Sequence, residues 1–311
     1  MKAVRIHAYG DAGVLACEDA PVPGITAHEV LVRVVATAVN PVDWKIREGY
    51  LKEMIPHAMP LTLGWDVSGV VEAVGADVSR FKVGDAVFSR PDIKRNGTYA
   101  EYVAIREDEI ASKPKTISHV EAATLPLAGI TAWEVLVTAA GLSAGQRVLI
   151  HAGSGGVGSL AVQLAKARGA FVIATTSGPN LALVKSLGAD EVVDYRSQPF
   201  ETVVSDVDVV FDTIGGTVQD ASWSVLKPGG ILVSVVSPPA EDRATALGVR
   251  SAFVFIEPNA GILAELAVLV DTGLLRPVVG AEFSLEDIAR AHAFSETGRA
   301  VGKIALYVGR P

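Results

Sequence analysis

The sequence predicts an α/β protein of two domains, a doubly wound, parallel six-stranded sheet inserted in a mostly β domain. Three observations predict it. The 311 residues are enough for two domains, at roughly 150 residues each. Up to Leu125 the chain is dense in β-branched residues, glycine and proline, after which helical patterns alternate with short apolar runs. That alternation is the rhythm of βαβ units and a parallel sheet. The last stretch returns to strand-like pieces and is too short to fold alone, so it is expected to complete the first domain. The expected boundaries are 1–121 plus 259–311 for the mostly β domain and 122–258 for the inserted one.

Composition narrows the class. The chain is 50% hydrophobic and 20% charged, with a mean hydropathy of +0.36, enough apolar material for sizeable cores. Acidic residues outnumber basic ones, 35 to 27, for a net charge of −8. A general nucleic-acid surface, which needs a basic face, is not expected. The single cysteine, Cys17, makes no intramolecular disulfide and no multi-cysteine zinc site, and reads as a partly buried strand residue. The most apolar stretch, 251–270, is broken by Glu257, Pro258, Asn259 and Glu265, so no membrane insertion is expected. The first ten residues alternate like a strand and lack the apolar core of a signal peptide. A cytoplasmic, reducing compartment is the expectation.

The elements follow in order. Strands are expected at 1–7, 29–36, 67–74, 86–89 and 99–105, where β-branched residues alternate with polar ones. Turn signals such as Pro23-Gly24 and Lys82-Val-Gly-Asp85 separate them. The second block predicts a strand at 147–151, a helix at 158–168, a strand at 171–175 and a helix at 181–187. Strands at 191–193 and 207–211 follow, then a helix at 219–226 that stops at Lys227-Pro-Gly-Gly230, and strands at 231–236 and 252–256. Six strands are the complement of a dinucleotide-binding Rossmann fold. The tail predicts helices at 259–272 and 285–297, with strands at 276–279 and 303–308.

The strongest local signal is Val148-Leu-Ile-His-Ala-Gly153-Ser154-Gly155-Gly156-Val157-Gly158. It follows a strand and opens a helix, the context that gives G-x-G-x-x-G its meaning. Gly153 permits the tight turn, Gly155 lets backbone approach a pyrophosphate, and Gly158 lets helix and strand pack closely. The helix N-terminus then offers N–H groups and a positive dipole end to phosphates. An NAD site usually carries an acidic residue about 20 positions after the glycines. Here the segment is Ala174-Thr175-Thr176-Ser177-Gly178-Pro179-Asn180, without a carboxylate. The hydroxyls of Thr175, Thr176 and Ser177 suit a 2′-phosphate, so NADP(H) is the expected cofactor. No Lys or Arg lies between Thr175 and Val184, which leaves Tyr195 and Arg196 to supply further contacts.

Several motifs in one order make a resemblance specific. They are Asn40-Pro-Val-Asp43-Trp-Lys45, Pro60-Leu-Thr-Leu-Gly-Trp-Asp-Val-Ser-Gly-Val-Val-Glu-Ala-Val-Gly75 and Val83-Gly-Asp-Ala-Val-Phe88. Gly97-Thr-Tyr-Ala-Glu-Tyr102, Leu125-Pro-Leu-Ala-Gly-Ile-Thr-Ala-Trp133, the glycine turn, Gly188-Ala-Asp-Glu-Val-Val-Asp-Tyr195 and Leu226-Lys-Pro-Gly-Gly230 complete the series. Over essentially the whole chain the sequence resembles the zinc-independent quinone oxidoreductase branch of the medium-chain dehydrogenase/reductase superfamily. The Asp43-Trp-Lys45 variant is most similar to plant chloroplast-envelope quinone oxidoreductase-like enzymes and their bacterial relatives. The resemblance implies that the mostly β domain is a GroES-like catalytic domain. Where the zinc alcohol dehydrogenases of the superfamily carry Gly-His-Glu, this chain has Gly64-Trp65-Asp66, so no metal is expected.

The resemblance also implies roles. NADPH-dependent hydride transfer to a quinone or enone is the expected activity. The alternatives are an enoyl-thioester or alkenal reductase, or a non-catalytic NADPH-binding protein. The 40–45 segment is expected beside the nicotinamide. There Asn40 would donate to the substrate carbonyl, Lys45 would stabilise an enolate or deliver a proton, and Asp43 would position Lys45 or the cofactor. Thr131 matches a residue facing the nicotinamide. Gly215 with its neighbour Ile214, Ser237 and Phe255, at or near the ends of later strands, are further cofactor candidates, as expected for ligands at the carboxyl ends of a parallel sheet. Trp65 and Tyr50 are candidate walls for a flat substrate. The apolar 251–257 segment would be an edge strand, and such an edge invites pairing into a homodimer.

Overall fold

The computed structural model describes residues 1–308. They fall into two compact units. One comprises Met1–Leu127, Glu257–Thr272 and the chain from Pro277 onward; the other comprises Ala128–Ile256 with Gly273–Arg276. The expected boundary at 121/122 thus lies before the point at which the first unit gives way.

The first unit begins with β1 (Lys2–Ile6), β2 (Ala16–Asp19) and the long β3 (Glu29–Val39), followed by the short helix α1 (Pro41–Arg47). Next come β4 (Leu61–Thr62), β5 (Val67–Val74), β6 (Ala86–Ser89), β7 (Tyr102–Arg106), β8 (Ile110–Ser112) and α2 (His119–Ala123). The helix α3 (Pro126–Trp133) carries the chain into the second unit, to which it belongs from Ala128 on, and continues there as a π-helical segment, Glu134–Ala139. β3 is rich in valine and alternates into the core, as a half-buried strand does. It pairs antiparallel with β5 and β7, and its register against β5 shifts at Leu31/Val32 and at Val34/Ala36. Such irregularities bend a strand, and this one carries the chain into Asn40. α1 was not anticipated from sequence. Pro41 at its first position and Asp43 in its first turn are good helix-starting residues.

The second unit holds β9 (Arg147–Ile150), α4 (Gly156–Ala167), β10 (Phe171–Thr176), α5 (Leu181–Ser186) and β11 (Glu191–Asp194). It continues with β12 (Val207–Asp212), α6 (Gly216–Ser222), β13 (Leu226–Ser234), α7 (Glu241–Leu247) and β14 (Arg250–Phe253). The strands form one parallel sheet in the order β11-β10-β9-β12-β13-β14. The order reverses beside β9, so the ligand crevice belongs at the carboxyl ends of β9, β10 and β12. Leu149, Ile173, Val210, Leu232 and Trp223 pack on one side of it.

The chain then returns to the first unit with α8 (Ala260–Asp271), β15 (Val279–Ser284), α9 (Ile288–Glu296) and β16 (Lys303–Tyr307). β16 pairs antiparallel with β3, which completes a seven-stranded sheet β15-β16-β3-β5-β6-β8 with β7 joined to β3. A smaller sheet has the order β2-β1-β4. Val32, Trp65, Tyr99, Ile105 and Leu306 lie in the core of this unit.

Some expectations change. α4 starts at Gly156, two residues earlier than expected, so Gly156 and Val157 form its first turn. The Lys227-Pro-Gly-Gly230 segment lies inside β13, where Gly229 takes a positive φ of 77° and its N–H bonds Gly248. The strand expected at 276–279 begins at Val279, and the sixth strand of the parallel sheet ends at Phe253, leaving Phe255 beyond it. Cys17 is exposed on β2, because alternate positions of that strand face away from β1's core side.

Candidate active site

In the second unit the glycine turn links β9 to α4. Gly155 is the residue that caps α4, and no side chain satisfies the helix's first N–H groups. A Cβ on Gly158 would fall 2.1 Å from the carbonyl oxygen of Ala152, so glycine there is required by the fold. A Cβ on Gly155 would meet nothing of the chain nearer than that same oxygen, at 3.2 Å. The crowding at 155 amounts to a few tenths of an ångström, where that at 158 is a gross clash. A backbone kept bare over open N–H groups suits a pyrophosphate, and the cradle fits a dinucleotide. Ala152, with φ 50°, takes the turn that Gly153 was expected to supply. A Cβ on Gly153 would instead press on Ala174, 2.9 Å away.

The hydroxyls expected to meet a 2′-phosphate divide into two groups. Thr175 is buried, and its hydroxyl lies 3.1 Å from His151 Nδ1 and accepts from the Ala152 N–H. Thr176 is buried and donates to Ser154 Oγ at 2.8 Å. These two therefore brace the glycine turn from behind and do not face outward. Of the three only Ser177 is left, and Asn180 Nδ2 donates to it and to the buried Ser154. Asn180 was missed as a candidate. So was Asp194, paired in the ladder with Thr176, whose carboxylate lies 2.8 Å from where a Gly178 Cβ would stand. It accepts the Arg196 N–H. A carboxylate does stand at this strand end, supplied by the neighbouring strand. Tyr195 is exposed and its N–H bonds Thr176, while Arg196 lies 5.9 Å from the Tyr195 ring.

Behind β9, a chain of hydrogen bonds fixes His151. Ser222 Oγ donates to the Val218 carbonyl, so it accepts from His151 Nε2 at 2.8 Å. His151 Nδ1 then accepts from Thr175. Burial pushes the His151 pKa down to about 4, against the pull of Asp212. Asp212 is buried at the end of β12 and accepts from the N–H groups of Ile214 and Gly215, from Gln219 and from Ser234. It holds Gly215 at φ 77°. Gln219 also reaches the Ser237 carbonyl, so the two predicted loop ends share one support. Phe255 is 42% exposed.

In the first unit the predicted catalytic segment folds as the end of β3 and α1. Asn40 is buried. Its Nδ2 donates to Asp66 Oδ2 at 2.8 Å, and its Oδ1 accepts from Lys303 Nζ. Lys303 also pairs with Asp66 Oδ2 at 3.0 Å, and Asp66 Oδ1 accepts the Leu127 N–H. Asn40 thus joins a buried ion pair, which occupies the amide expected to meet substrate. Asp43 does not position Lys45. It is fully buried and accepts from the Asn40 N–H and from the Tyr99 hydroxyl, each through Oδ2, while Oδ1 has no partner. Burial raises its pKa to about 7, against those two hydrogen bonds and the charge of Lys303. The Lys45 side chain makes no hydrogen bond or ion pair among the described residues, and its ammonium lies 5.8 Å over the Trp44 ring. Trp65 is wholly buried, so it walls no open site, whereas Tyr50 is exposed.

Further in, Arg47 is also wholly buried but fully engaged. It pairs with Glu48 and Glu296 and donates to the Gly10 carbonyl and to His292 Nδ1. His292 Nε2 then donates to the Tyr99 oxygen at 3.2 Å, and burial beside Arg47 pushes its pKa to about 3. Thr131, on α3 in the second unit, is buried. Among the described residues no group of three or more His, Cys, Asp or Glu is arranged to hold a metal.

Comparison with known proteins agrees with these features. Residues 26–115 match the family "Alcohol dehydrogenase GroES-like domain", and 187–306 match "Zinc-binding dehydrogenase". The chain is 40% identical to the 2-methylene-furan-3-one reductase of Solanum lycopersicum over 323 residues, covering 99% of this chain and 79% of that one. It is also 40% identical to the chloroplastic NADPH-dependent alkenal/one oxidoreductase of Arabidopsis thaliana, with 99% and 79% covered. The solved quinone oxidoreductase from Coxiella burnetii superposes with a TM-score of 0.94 at 36% identity, over 99% of each chain. With a GroES-like unit, a Rossmann sheet and the glycine cradle all in place, this chain belongs to the quinone oxidoreductase-like branch of the medium-chain dehydrogenase/reductase superfamily.

Proposed function

We propose that the chain is an NADPH-dependent oxidoreductase that reduces quinones or α,β-unsaturated ketones without zinc. The observation that carries the reading is the bare backbone of Gly155 at the N-terminus of α4, where no side chain caps the helix and a pyrophosphate would. NADPH supplies the hydride to the electrophilic carbon, and one proton completes the two-electron reduction. The chain's residues bind and orient. Ser177, Ser154 and Asn180 form the polar patch at the end of β10, with Tyr195 and Arg196 on the next loop. Gly215 and Ser237 hold the loops after β12 and β13. Lys45, without a hydrogen bond or ion pair to its ammonium among the described residues, stabilises the oxygen that gains charge or delivers the proton. Asn40 and Asp43 set the frame of α1, and Thr131 faces the nicotinamide.

Metal independence rests on the donor set. Trp65 and Asp66 stand where the zinc alcohol dehydrogenases of the superfamily carry His-Glu, and both Asp66 oxygens are taken by Asn40, Lys303 and Leu127. The chain works in the cytoplasm as a homodimer through β14, the last strand of its sheet, where Phe253 and Phe255 are exposed. No helix among the described residues is long and apolar enough to cross a membrane.

The test follows NADPH absorbance with quinones, enones and acyl thioesters after exhaustive dialysis against a chelator. Turnover of quinones or enones that survives chelation is expected. Tight NADPH binding with no turnover of any class would make this a binding protein, and activity restored only by zinc would overturn metal independence.

A further inference from the structure

Arg90, one residue beyond β6 in the first unit, is a buried cation that no group among the described residues satisfies. It is 1% exposed. Its Nε and Nη1 are buried without a hydrogen-bond partner. Nη2 has none either among the described residues, and it keeps what little exposure the residue has. No carboxylate lies within ion-pair distance of it there, although Glu257, Asp66, Asp92 and Glu109 act on it from further away. Arg47 shows what the same unit does with a structural arginine: two carboxylates, a carbonyl and an imidazole meet it.

A guanidinium taken out of water without partners is strongly unfavourable. A neutral carbonyl would satisfy one or two of its N–H groups and leave the charge. A carboxylate would satisfy both, through a pair of parallel charge-assisted hydrogen bonds. Position agrees with a substrate role. β5 and β6 run antiparallel with Val67 opposite Ser89, so Arg90 follows on opposite Asp66, just past the ladder. Asp66 is itself tied to Asn40 at the head of α1, the helix that carries Lys45. The nearby carboxylate of Asp66 already has its own lysine, so it does not neutralise Arg90.

We propose that Arg90 is a specificity-determining residue that binds a carboxylate carried by the enone or quinone substrate. This rests on the hydride-transfer reading above and narrows its substrate class to acidic enones and quinones. Nη2 meets the carboxylate first, and Nε or Nη1 completes the pair as the side chain turns. An arginine serving only the fold would lower both substrates' turnover alike. A carboxylate receptor changes their ratio, chiefly through KM.

The experiment compares (E)-4-oxopent-2-enoate with its methyl ester, in the parent, Arg90→Gln and Arg90→Lys. In Arg90→Gln the ratio of kcat/KM, acid over ester, should fall at least tenfold, and Arg90→Lys should recover part of it. An unchanged ratio would overturn the proposal. A binding arm stands apart from turnover and from the variants. Levulinate, the saturated acid, should raise the melting temperature of the parent more than methyl levulinate does. Equal effects of the two, or no effect of either, would overturn the proposal even if Arg90→Gln failed to fold. Failure of the hydride-transfer reading looks different: the parent then turns over neither enone, whatever levulinate does.

Discussion

Asn40 and Lys45 lie five positions apart and have opposite situations. Asn40 is locked between Asp66 and Lys303, and the Lys45 ammonium has no hydrogen bond or ion pair among the described residues, only the Trp44 ring beneath it. Replacing Asn40 with Ala would leave a buried ion pair short of a donor and an acceptor, at about 1–3 kcal/mol. Its melting temperature should drop, whatever happens to turnover. Lys45→Ala should melt as the parent does and lose about a hundredfold in kcat on enones, or about 3 kcal/mol of charge stabilisation. NADPH affinity, read by fluorescence titration, should hold. A lowered melting point in Lys45→Ala with unchanged kcat would reverse the two roles. His151 gives a pH prediction. Its pKa falls to about 4 in the fold, from an ordinary value of about 6.5. Between these values the unfolded chain binds the extra proton, so stability is lost as pH falls. From pH 7 to pH 5 the loss from this group is about 2 kcal/mol. Asp43, raised to about 7, acts with the opposite sign over the same range. Comparison of variants therefore isolates the histidine: His151→Gln should lose less denaturant resistance between those pH values than the parent does. Equal losses would show that His151 does not titrate with unfolding.

At the scale of elements, the strand–turn–helix of the nucleotide cradle was legible because every signal in it is local. Gly153 to Gly158 run from the end of one strand into the first turn of the next helix, and their spacing carries the geometry. What was not legible comes from elsewhere in the chain. Asp194 reaches the end of β10 from the next strand. Lys303 reaches Asn40 from 263 positions away. The 40–45 segment displayed its polar residues but not their partners, so its asparagine read as a substrate donor. Thr175 and Thr176 read as ligand hydroxyls because a run of three gives no hint of which way each turns. The two glycines that matter most now separate experimentally. Gly158→Ala puts a methyl group against the Ala152 carbonyl and should cost about 2 kcal/mol of stability. Gly155→Ala should melt near the parent and lose about tenfold or more in NADPH affinity, about 1.4 kcal/mol. Full affinity in Gly155→Ala would remove the pyrophosphate from this turn.

For the whole molecule, the order of strands decides assembly. β14 closes one side of the parallel sheet, and its inner ladder bonds face β13, as Val254 N to Ser234 O shows at 2.9 Å. Alternation along a strand then turns the Phe253 N–H outward. A proline at Phe253 removes that donor without touching β13. Phe253→Pro should be monomeric by light scattering at micromolar concentration where the parent is a dimer. A parent that is itself monomeric there would end the proposal. The alternation of strands and helices made the parallel sheet readable from sequence, and so did the return of strand-like pieces after it. The pairing of β16 with β3 was beyond reach, since no local pattern says which early strand a late one will join.

That pairing sets a timetable for synthesis. On the ribosome the six parallel strands have all emerged once Phe253 is out, and their sheet has every partner it needs. The β3 sheet is still open on one side then, for β16 is the last of its strands to be made. Domains fold as units during translation, so the nucleotide-binding half would mature first while the other half waits. The wait has an electrostatic side, because Asp66 has no ion-pair partner until Lys303 arrives with β16. A nascent chain stalled before β16 should therefore resist proteolysis between β9 and β14 and be cut readily on either side of Asp66.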